Sequence, residues 1–346
     1  MFLICYGTRP ELIKLFPIIS FFKEQNIEFK TLFSGQHADL IKEFSELVDK
    51  PDFELQNIMK HRQSINSLTG KILLEANKSL LNSKYKIIVQ GDSQTSFTMS
   101  LFAFNNENDV IHIEAGLRTN NLSSPFPEEA NRVMTSHIAN LHFCPTKNSV
   151  ENLRQEGITN NVHLVGNTIV DSFNQIIDNG NFSKKVIELV SDNDEYLLAT
   201  LHRRENRELN FVNIWNQLNE VSKDHKIIYI KHPSVPDSEK YLNDNICLID
   251  PVNYQDMLYL VKNSKGIISD SGGLQEEAVC AEKKILICRD TTERPETIES
   301  GFGKLVEANV LDNLNFLFTK NINNLENPYG VNVTKKIISI LEKEYK

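Results

Sequence analysis

Three carboxylates in the first half of the chain stand where active-site loops of α/β proteins lie, just after a predicted strand or at the start of a predicted helix. Asp92 follows the apolar run 86–90, Glu114 follows the run 110–113, and Glu128 opens a helix. Like-charged neighbours and partial burial separate the proton affinities of clustered carboxylates, as paired acid and base groups require. This spacing favours proton-transfer chemistry.

Structural roles compete with that interpretation. A lone Asp92 at a strand-to-helix turn suits a helix N-cap. An ion-pair network with Arg118 and Arg132 is the alternative for the carboxylates near residue 128, and for Glu129 we prefer this network to catalysis.

A second group of residues has the features of an anion-binding site. In the segment 269–277 a predicted strand gives way to a Gly-Gly turn and then a helix, so the backbone N–H groups of three residues can face a diphosphate: Ser271, Gly272 and Gly273. Glu277 is placed for a ribose diol, and Arg294 can reach the same anion. A flexible turn before an acidic helix start is the alternative. The segment has neither the dinucleotide fingerprint nor the Walker A spacing, so no nicotinamide cofactor is implied.

Basic residues follow two more predicted strands. Arg9 and Lys14 belong to the helix that begins after Gly7, where both side chains can project towards a phosphate, although two solvated bases explain the pattern equally well. His202 follows the run 196–201 and can bind an anion or transfer a proton.

Short apolar runs alternate with longer helical patterns along the chain, which predicts mostly parallel sheets covered by helices on both faces. The runs form two series, and we therefore predict an α/β protein with two Rossmann-like, doubly wound domains. The first series comprises 2–6, 29–33, 86–90, 110–113, 141–144 and 162–165, and the second comprises 196–201, 226–230, 246–249, 266–269 and 284–288.

The polar segments 178–184 and 191–195 lie between the two series. We place the N-terminal domain at 1–170 and the C-terminal domain at 171–330, and expect 331–346 to form an amphipathic helix that packs back on the N-terminal domain. Ligands of open α/β sheets bind at the carboxyl ends of the strands, so the active site is expected in the cleft between the domains.

Composition excludes several classes of protein. The chain has 346 residues, 40% of them hydrophobic, which is long enough for two domains. No apolar run approaches the roughly 20 residues that a membrane-spanning helix requires. The net charge of -9 argues against non-specific nucleic-acid binding. The five cysteines have no metal-ligand spacing and the N-terminus has no secretory signal, so we expect reduced thiols, no metal site and a cytoplasmic location.

Eight segments occur together in an informative order: GTRPE, GDS, HIEAGLRT, SPFPEEANR, VGNTIVD, HRREN, SDSGGLQEEA and RDTTERPE, spanning residues 7–296. In this set and order the chain resembles the non-hydrolysing UDP-N-acetylglucosamine 2-epimerases. The resemblance implies a GT-B type fold of two Rossmann-like domains with the active site in the cleft, and a homodimer.

The resemblance also implies a reaction. A base removes the C2 proton while UDP leaves C1, and UDP then adds back to 2-acetamidoglucal as a proton reaches the opposite face, without metal or redox cofactor. UDP-N-acetylglucosamine and UDP-N-acetylmannosamine are thereby interconverted, for surface polysaccharide precursors. Matched by motif, the catalytic residues fall on Asp92, Glu114, Glu128 and His202, and the substrate-binding residues on Arg9, Lys14, Ser271, Gly272, Gly273, Glu277 and Arg294.

Several points stay open at this level. Many family members bind a second, activating UDP-N-acetylglucosamine, and Gln36, His37 and Arg62 match that site whereas Ala38 and Asp39 depart from it. The alternative substrates are other UDP-acetamido sugars, such as a diacetamido uronate or a deoxy sugar. A GT-B glycosyltransferase is the alternative from another class, and the hydrolysing branch of the family fits the motifs less well.

Overall fold

The computed structural model describes residues 1–37, 40, 44–45, 47–60, 63–80, 83–202, 209–232, 235, 240–319 and 325–345. Internal contacts divide the chain into two units. Unit 1 comprises Met1–Ser172 and Tyr329–Lys346, and unit 2 comprises Phe173–Pro328. The chain therefore leaves unit 1 once and returns to it once.

Unit 1 is built around a sheet of seven parallel strands within the described residues, in the order β3-β2-β1-β4-β5-β6-β7. Its central strands are buried on both faces, which explains their unbroken apolar runs. The strands are β1 (Phe2–Tyr6), β2 (Phe29–Phe33), β3 (Phe53–Glu54), β4 (Lys86–Gln90), β5 (Asp109–Ile113), β6 (Leu141–Cys144) and β7 (Val162–Leu164).

Helices connect and cover these strands. They are α1 (Arg9–Glu24), α2 (Ile65–Leu80), α3 (Gln94–Asn105), α4 (Glu128–Ile138), α5 (Lys147–Gln155) and α6 (Ile169–Asn179), and α6 carries the chain from unit 1 into unit 2. After the return at Tyr329, helix α13 (Val333–Glu344) packs against α1. The ring of Tyr345 then meets Phe2 edge-on, with the two centroids 6.0 Å apart.

Unit 2 repeats the plan with six parallel strands among the residues described, in the order β10-β9-β8-β11-β12-β13. The strands are β8 (Leu197–Thr200), β9 (Ile227–Ile230), β10 (Ile246–Ile249), β11 (Gly266–Ser269), β12 (Ile285–Ile287) and β13 (Gly303–Leu305). The helices are α7 (Lys184–Asp192), α8 (Leu209–Val221), α9 (Tyr254–Asn263), α10 (Gly272–Cys280), α11 (Pro295–Glu299) and α12 (Val310–Asn313), and a 3₁₀ turn follows at Leu314–Phe318.

The predicted α/β class with two doubly wound sheets is confirmed, and each predicted run contains a strand. The structure adds two edge strands that the prediction missed, β3 and β13, which have only two and three residues. Neither carries an apolar run or alternation, because β3 is a Phe-Glu pair and β13 has Lys304 at its centre. Across the described part of the chain, no helix combines the length and apolarity needed to cross a bilayer.

Candidate active site

Each sheet has a point where the strand order reverses, and several of the predicted site residues follow the strands on either side of it. In unit 1 the reversal lies between β1 and β4, so the loops after these strands open at the carboxyl edge, where ligands of doubly wound sheets bind. Arg9 follows β1 and Asp92 follows β4. Strand β5 pairs with β4 and ends next to it, with Ile113 opposite Gln90, so Glu114 belongs to the same edge.

Glu114 is held by three donors. Its carboxylate accepts hydrogen bonds from Gln90 Nε2 at 2.5 Å and from Asn167 Nδ2 at 2.8 Å, and it forms an ion pair with Lys14 Nζ. The Glu114 backbone adopts φ 63°, a left-handed conformation that costs a non-glycine residue free energy and that is typical of functional sites. The strand end therefore holds this carboxylate in a fixed place.

Lys14 is 4% exposed, so its interpretation as a solvated base is wrong. Helix α1 begins on a capping box in which Thr8 and Glu11 bond each other's backbone, and Lys14 follows one turn later. Arg9, at the start of the same helix, is only half-buried. Its backbone N–H donates to His37 Nδ1 at 3.4 Å.

Two of the residues matched to an allosteric site lie beside these same loops. Gln36 Oε1 accepts hydrogen bonds from the backbone N–H and the hydroxyl of Thr95, at 3.2 and 2.7 Å. His37 contacts the backbone of Arg9. Arg62 lies outside the described residues.

Asp92 forms an ion pair with Arg132, with Oδ2 2.5 Å from Nη2. The alternative role of Asp92 as an N-cap is wrong, because Ser93 caps α3 by accepting the N–H of Ser96 at 3.0 Å.

Arg132 also forms an ion pair with Glu129, which confirms half of the ion-pair network predicted for Glu129. The other half is wrong, since Arg118 pairs with Glu156 at 2.7 Å.

The two glutamates that open α4 have different surroundings. Glu129 is 1% exposed, and it accepts hydrogen bonds from Thr119 N at 2.8 Å and Asn120 N at 2.9 Å besides its ion pair. Within the described chain no such bond or ion pair involves the half-buried Glu128 carboxylate. Glu129 is therefore structural, and Glu128 is the glutamate available to a substrate.

Glu11 is a buried residue for which the sequence predicted no role in the site. Its carboxylate accepts hydrogen bonds from Gly7 N, from Thr8 N and Oγ1, and from the hydroxyls of Ser93 and Ser96, at distances of 2.6–3.0 Å. Burial raises the pKa of Glu11, and those hydrogen bonds oppose the rise. The capping-box spacing from Thr8 was the sequence signal, and the structure shows that Glu11 also ties the β1–α1 loop to the β4–α3 loop.

In unit 2 the strand order reverses between β8 and β11, which pair so that Thr200 lies opposite Ser269. His202 follows β8, and its backbone N–H donates to both carboxylate oxygens of Asp270, at 3.0 and 3.1 Å. The ring of His202 stacks on His232 with centroids 4.7 Å apart. Asp270 is fully buried, so it anchors the loop that presents the partly exposed His202.

Helix α10 begins directly after β11, so its N-terminus lies at the carboxyl edge of the unit 2 sheet. Ser271 caps this helix by accepting the N–H of Leu274 at 3.4 Å. The N–H groups of Gly272 and Gly273 belong to the first turn, which has no intrahelical acceptors for them. A Cβ built on Gly273 meets nothing within 4 Å, so the exposed helix start has room for an anion.

Arg294 is held beside this helix by two carboxylates, Glu276 at 3.1 Å and Glu293 at 3.0 Å. Glu293 also binds Arg289 at 2.7 Å. Burial opposes ionisation of Glu293, but the charges of Arg294 and Arg289 outweigh it and hold the pKa at about 2. Glu277, the residue predicted to bind a ribose, is buried one turn into α10.

Two doubly wound α/β units, one with clustered carboxylates at its strand ends and one with an open helix N-terminus, define an α/β protein of the GT-B type. The model of the UDP-N-acetylglucosamine 2-epimerase family matches residues 20–342. The UDP-N-acetylglucosamine 2-epimerase of Campylobacter jejuni is 38% identical, with 99% of this chain and 97% of the relative covered.

Two solved structures of UDP-GlcNAc 2-epimerases are similar to this chain over nearly its whole length. The Methanocaldococcus jannaschii UDP-GlcNAc 2-epimerase in complex with UDP-GlcNAc and UDP matches with a TM-score of 0.85 and 37% identity, over 99% of this chain and 100% of that one. The Neisseria meningitidis enzyme bound to UDP-GlcNAc matches with a TM-score of 0.86 and 36% identity, over 99% of both chains. The chain belongs to the UDP-N-acetylglucosamine 2-epimerase family and is an isomerase of that family.

Proposed function

We propose that this chain interconverts UDP-N-acetylglucosamine and UDP-N-acetylmannosamine by eliminating and re-adding UDP. A base takes the C2 proton, the electron pair of that C–H bond forms the C1–C2 double bond, and the C1–O bond to UDP breaks. The intermediate is 2-acetamidoglucal with UDP retained. UDP then re-forms the C1–O bond as a proton is delivered to the opposite face of C2.

The observation that carries the proposal is the placement of Asp92 and Glu114 after the adjacent, paired strands β4 and β5. Neighbouring strands run about 4.8 Å apart, so both carboxylates serve one sheet edge. Proton removal from one face and delivery to the other need two such groups, and Glu128 supplies a third carboxylate. We assign proton transfer to these three residues and to His202.

The second unit is assigned to UDP. The N–H groups of Gly272 and Gly273 and the field of the α10 N-terminus suit a diphosphate, and Ser271 holds that turn. Arg294 adds positive charge, and Glu277 is assigned to the ribose diol.

In unit 1, Arg9 and Lys14 are assigned to substrate binding, and Lys14 also balances the charge of Glu114. The bound UDP-GlcNAc in two similar structures supports the choice of substrate.

Proton NMR of the protein with UDP-N-acetylglucosamine in deuterated water tests the proposal. We expect deuterium at C2 of both epimers while UDP stays attached. Release of free N-acetylmannosamine would assign the hydrolysing reaction instead. Absence of exchange would refute the proposed substrate, and UDP-linked diacetamido and deoxy sugars, then sugar acceptors, would be tried in the same assay.

Three wider properties are proposed from the family resemblance: a cytoplasmic location, a role in making surface polysaccharide precursors, and a homodimer. Sedimentation equilibrium tests the dimer, for which we expect about twice the chain mass of 39.6 kDa. A single mass of 39.6 kDa would contradict it.

A further inference from the structure

Asn167 contacts Glu114, one of the candidate catalytic carboxylates, and its side chain has a fixed orientation. Its Oδ1 accepts the backbone N–H of Ile169, the first residue of α6, at 3.0 Å. The amide nitrogen therefore faces Glu114 and donates to Oε1 at 2.8 Å. The reverse orientation would place Oδ1 against a carboxylate oxygen and the NH₂ group against an N–H, so it is excluded. Asn167 is 3% exposed.

Both chain connections between the units meet at this residue. The outgoing connection is α6, whose first N–H Asn167 caps, and the boundary between the units falls inside that helix at Ser172. The returning connection begins at Tyr329, and its carbonyl oxygen accepts the backbone N–H of Asn167 at 2.9 Å. One residue thus contacts Glu114 and both connecting segments.

The two connecting segments are also joined tightly to each other. A Cβ on Gly166 would lie 2.3 Å from the carbonyl oxygen of Tyr329, so only glycine permits this approach. Asp171 Oδ2 accepts the N–H of Thr334, near the start of α13, at 2.6 Å. The α6 start is anchored to α1 as well, because the Thr168 hydroxyl donates to the carbonyl oxygen of Lys14 at 2.6 Å.

We propose that Asn167 is a positioning residue for proton transfer at Glu114, and that it makes the place of this carboxylate depend on both segments that connect the units. The inference rests on the proposed function, in which Glu114 transfers a proton. Among the described residues, Asn167 supplies the one neutral hydrogen bond to Oε1, beside the charge of Lys14. Removing this bond leaves only Gln90 and Lys14 of the three donors named above, so the carboxylate is held less firmly, while the groups assigned to UDP are unchanged.

Two substitutions remove the donor and keep an acceptor for Ile169. Asn167→Ser leaves a hydroxyl that caps the same N–H but is too short to reach Glu114, and Asn167→Asp is isosteric with an oxygen in place of the NH₂ group. For both we expect kcat of C2 exchange to fall by about 10- to 100-fold with KM changed less than threefold, because a misplaced reacting group lowers the rate rather than the affinity.

Asn253→Asp is the matched control. Asn253 caps α9 by accepting the N–H of Asp256 at 2.8 Å, so the same chemical change occurs at a helix start that belongs to unit 2. We expect wild-type kcat and KM from this variant.

A double variant tests the contact without using activity. In Asn167→Asp with Glu114→Gln, the new amide at position 114 can donate to the new carboxylate, which restores the hydrogen bond in reverse. Lys14, which shares Oε1 of Glu114 with Asn167, can then pair with the new carboxylate. We expect the double variant to recover most of the Tm lost in Asn167→Asp, and no activity.

The outcomes separate this inference from the proposed function. Exchange by the wild type together with kcat within twofold of wild type in both Asn167 variants would overturn the positioning role alone, as would a raised KM at unchanged kcat. Absence of exchange in the wild type would refute the proposed function, and the positioning role with it. If neither single variant folds, recovered folding of the double variant supports the contact and its failure overturns it.

Discussion

The guanidinium of Arg132 lies 2.5 Å from the carboxylate of Asp92, across 40 positions of sequence. The same guanidinium binds Glu129 at 2.9 Å, and Glu129 is buried. Arg132 therefore connects a carboxylate assigned to proton transfer with one that holds the backbone before α4. Removing it leaves two charges without their partner, one of them fully desolvated.

We expect Arg132→Met to lower the free energy of unfolding by about 3 to 5 kcal/mol, because breaking a buried ion pair leaves an uncompensated charge. C2 exchange should fall at least about tenfold, since Asp92 loses the group that fixes it. Urea unfolding and the NMR assay measure the two effects. Arg154→Met is the control, because it breaks an exposed i,i+3 pair with Glu151 and should leave the free energy of unfolding almost unchanged. Equal losses in the two variants would contradict the role of Arg132.

Asp92→Asn and Glu114→Gln should each abolish C2 exchange while UDP still binds. Both substitutions keep side-chain size and remove the proton-transfer group, whereas the residues assigned to UDP lie in unit 2. Exchange is followed by NMR and UDP binding by calorimetry. Full activity in both variants would refute the assignment of these carboxylates.

Gly273 allows the anion site to be tested without a change in the fold. Because the space around its Cβ position is open, we expect Gly273→Ala and Gly273→Asp to fold with wild-type Tm. The alanine variant should bind UDP nearly as the wild type does, and the aspartate variant about tenfold more weakly or worse, because a like charge faces the diphosphate. Calorimetry with UDP measures both. Unchanged affinity in the aspartate variant would place the diphosphate elsewhere.

The lowered pKa of Glu293 leads us to expect that the stability of the fold depends on pH. Its pKa falls from 4.5 to about 2 in the folded chain, so its contribution is present above about pH 4.5 and is lost as the pH falls towards 2. We expect Glu293→Gln to cost at most about 3 kcal/mol at pH 7, and the difference from wild type to shrink between pH 5 and pH 3. Urea unfolding across that range measures it, with the exposed Glu299→Gln as control. A difference that stays constant with pH would contradict the ion-pair origin of the shift.

The sequence alone predicted most of the fold and the position of each candidate residue along the chain. Parallel strands buried on both faces are continuous apolar runs, so β1, β4 and β11 could be found without a structure. Polar residues directly after such runs, such as Asp92 and Glu114, are then placed at the carboxyl edge of a sheet. The edge strands β3 and β13 could not be found, because each contains a charged residue and neither forms an apolar run.

Only the tertiary structure decided which side chains meet. Lys14 pairs with Glu114 across 100 positions, and Arg118 pairs with Glu156 rather than with Glu129. Residue type and local spacing fix where a side chain stands on its own strand or helix, and that much is local information. Partners between elements depend on strand order and on how helices pack over the sheet, so the ion pairs of Asp92 and Glu114 and the hydrogen bonds of Asn167 with Glu114 and Tyr329 exist only in the folded chain.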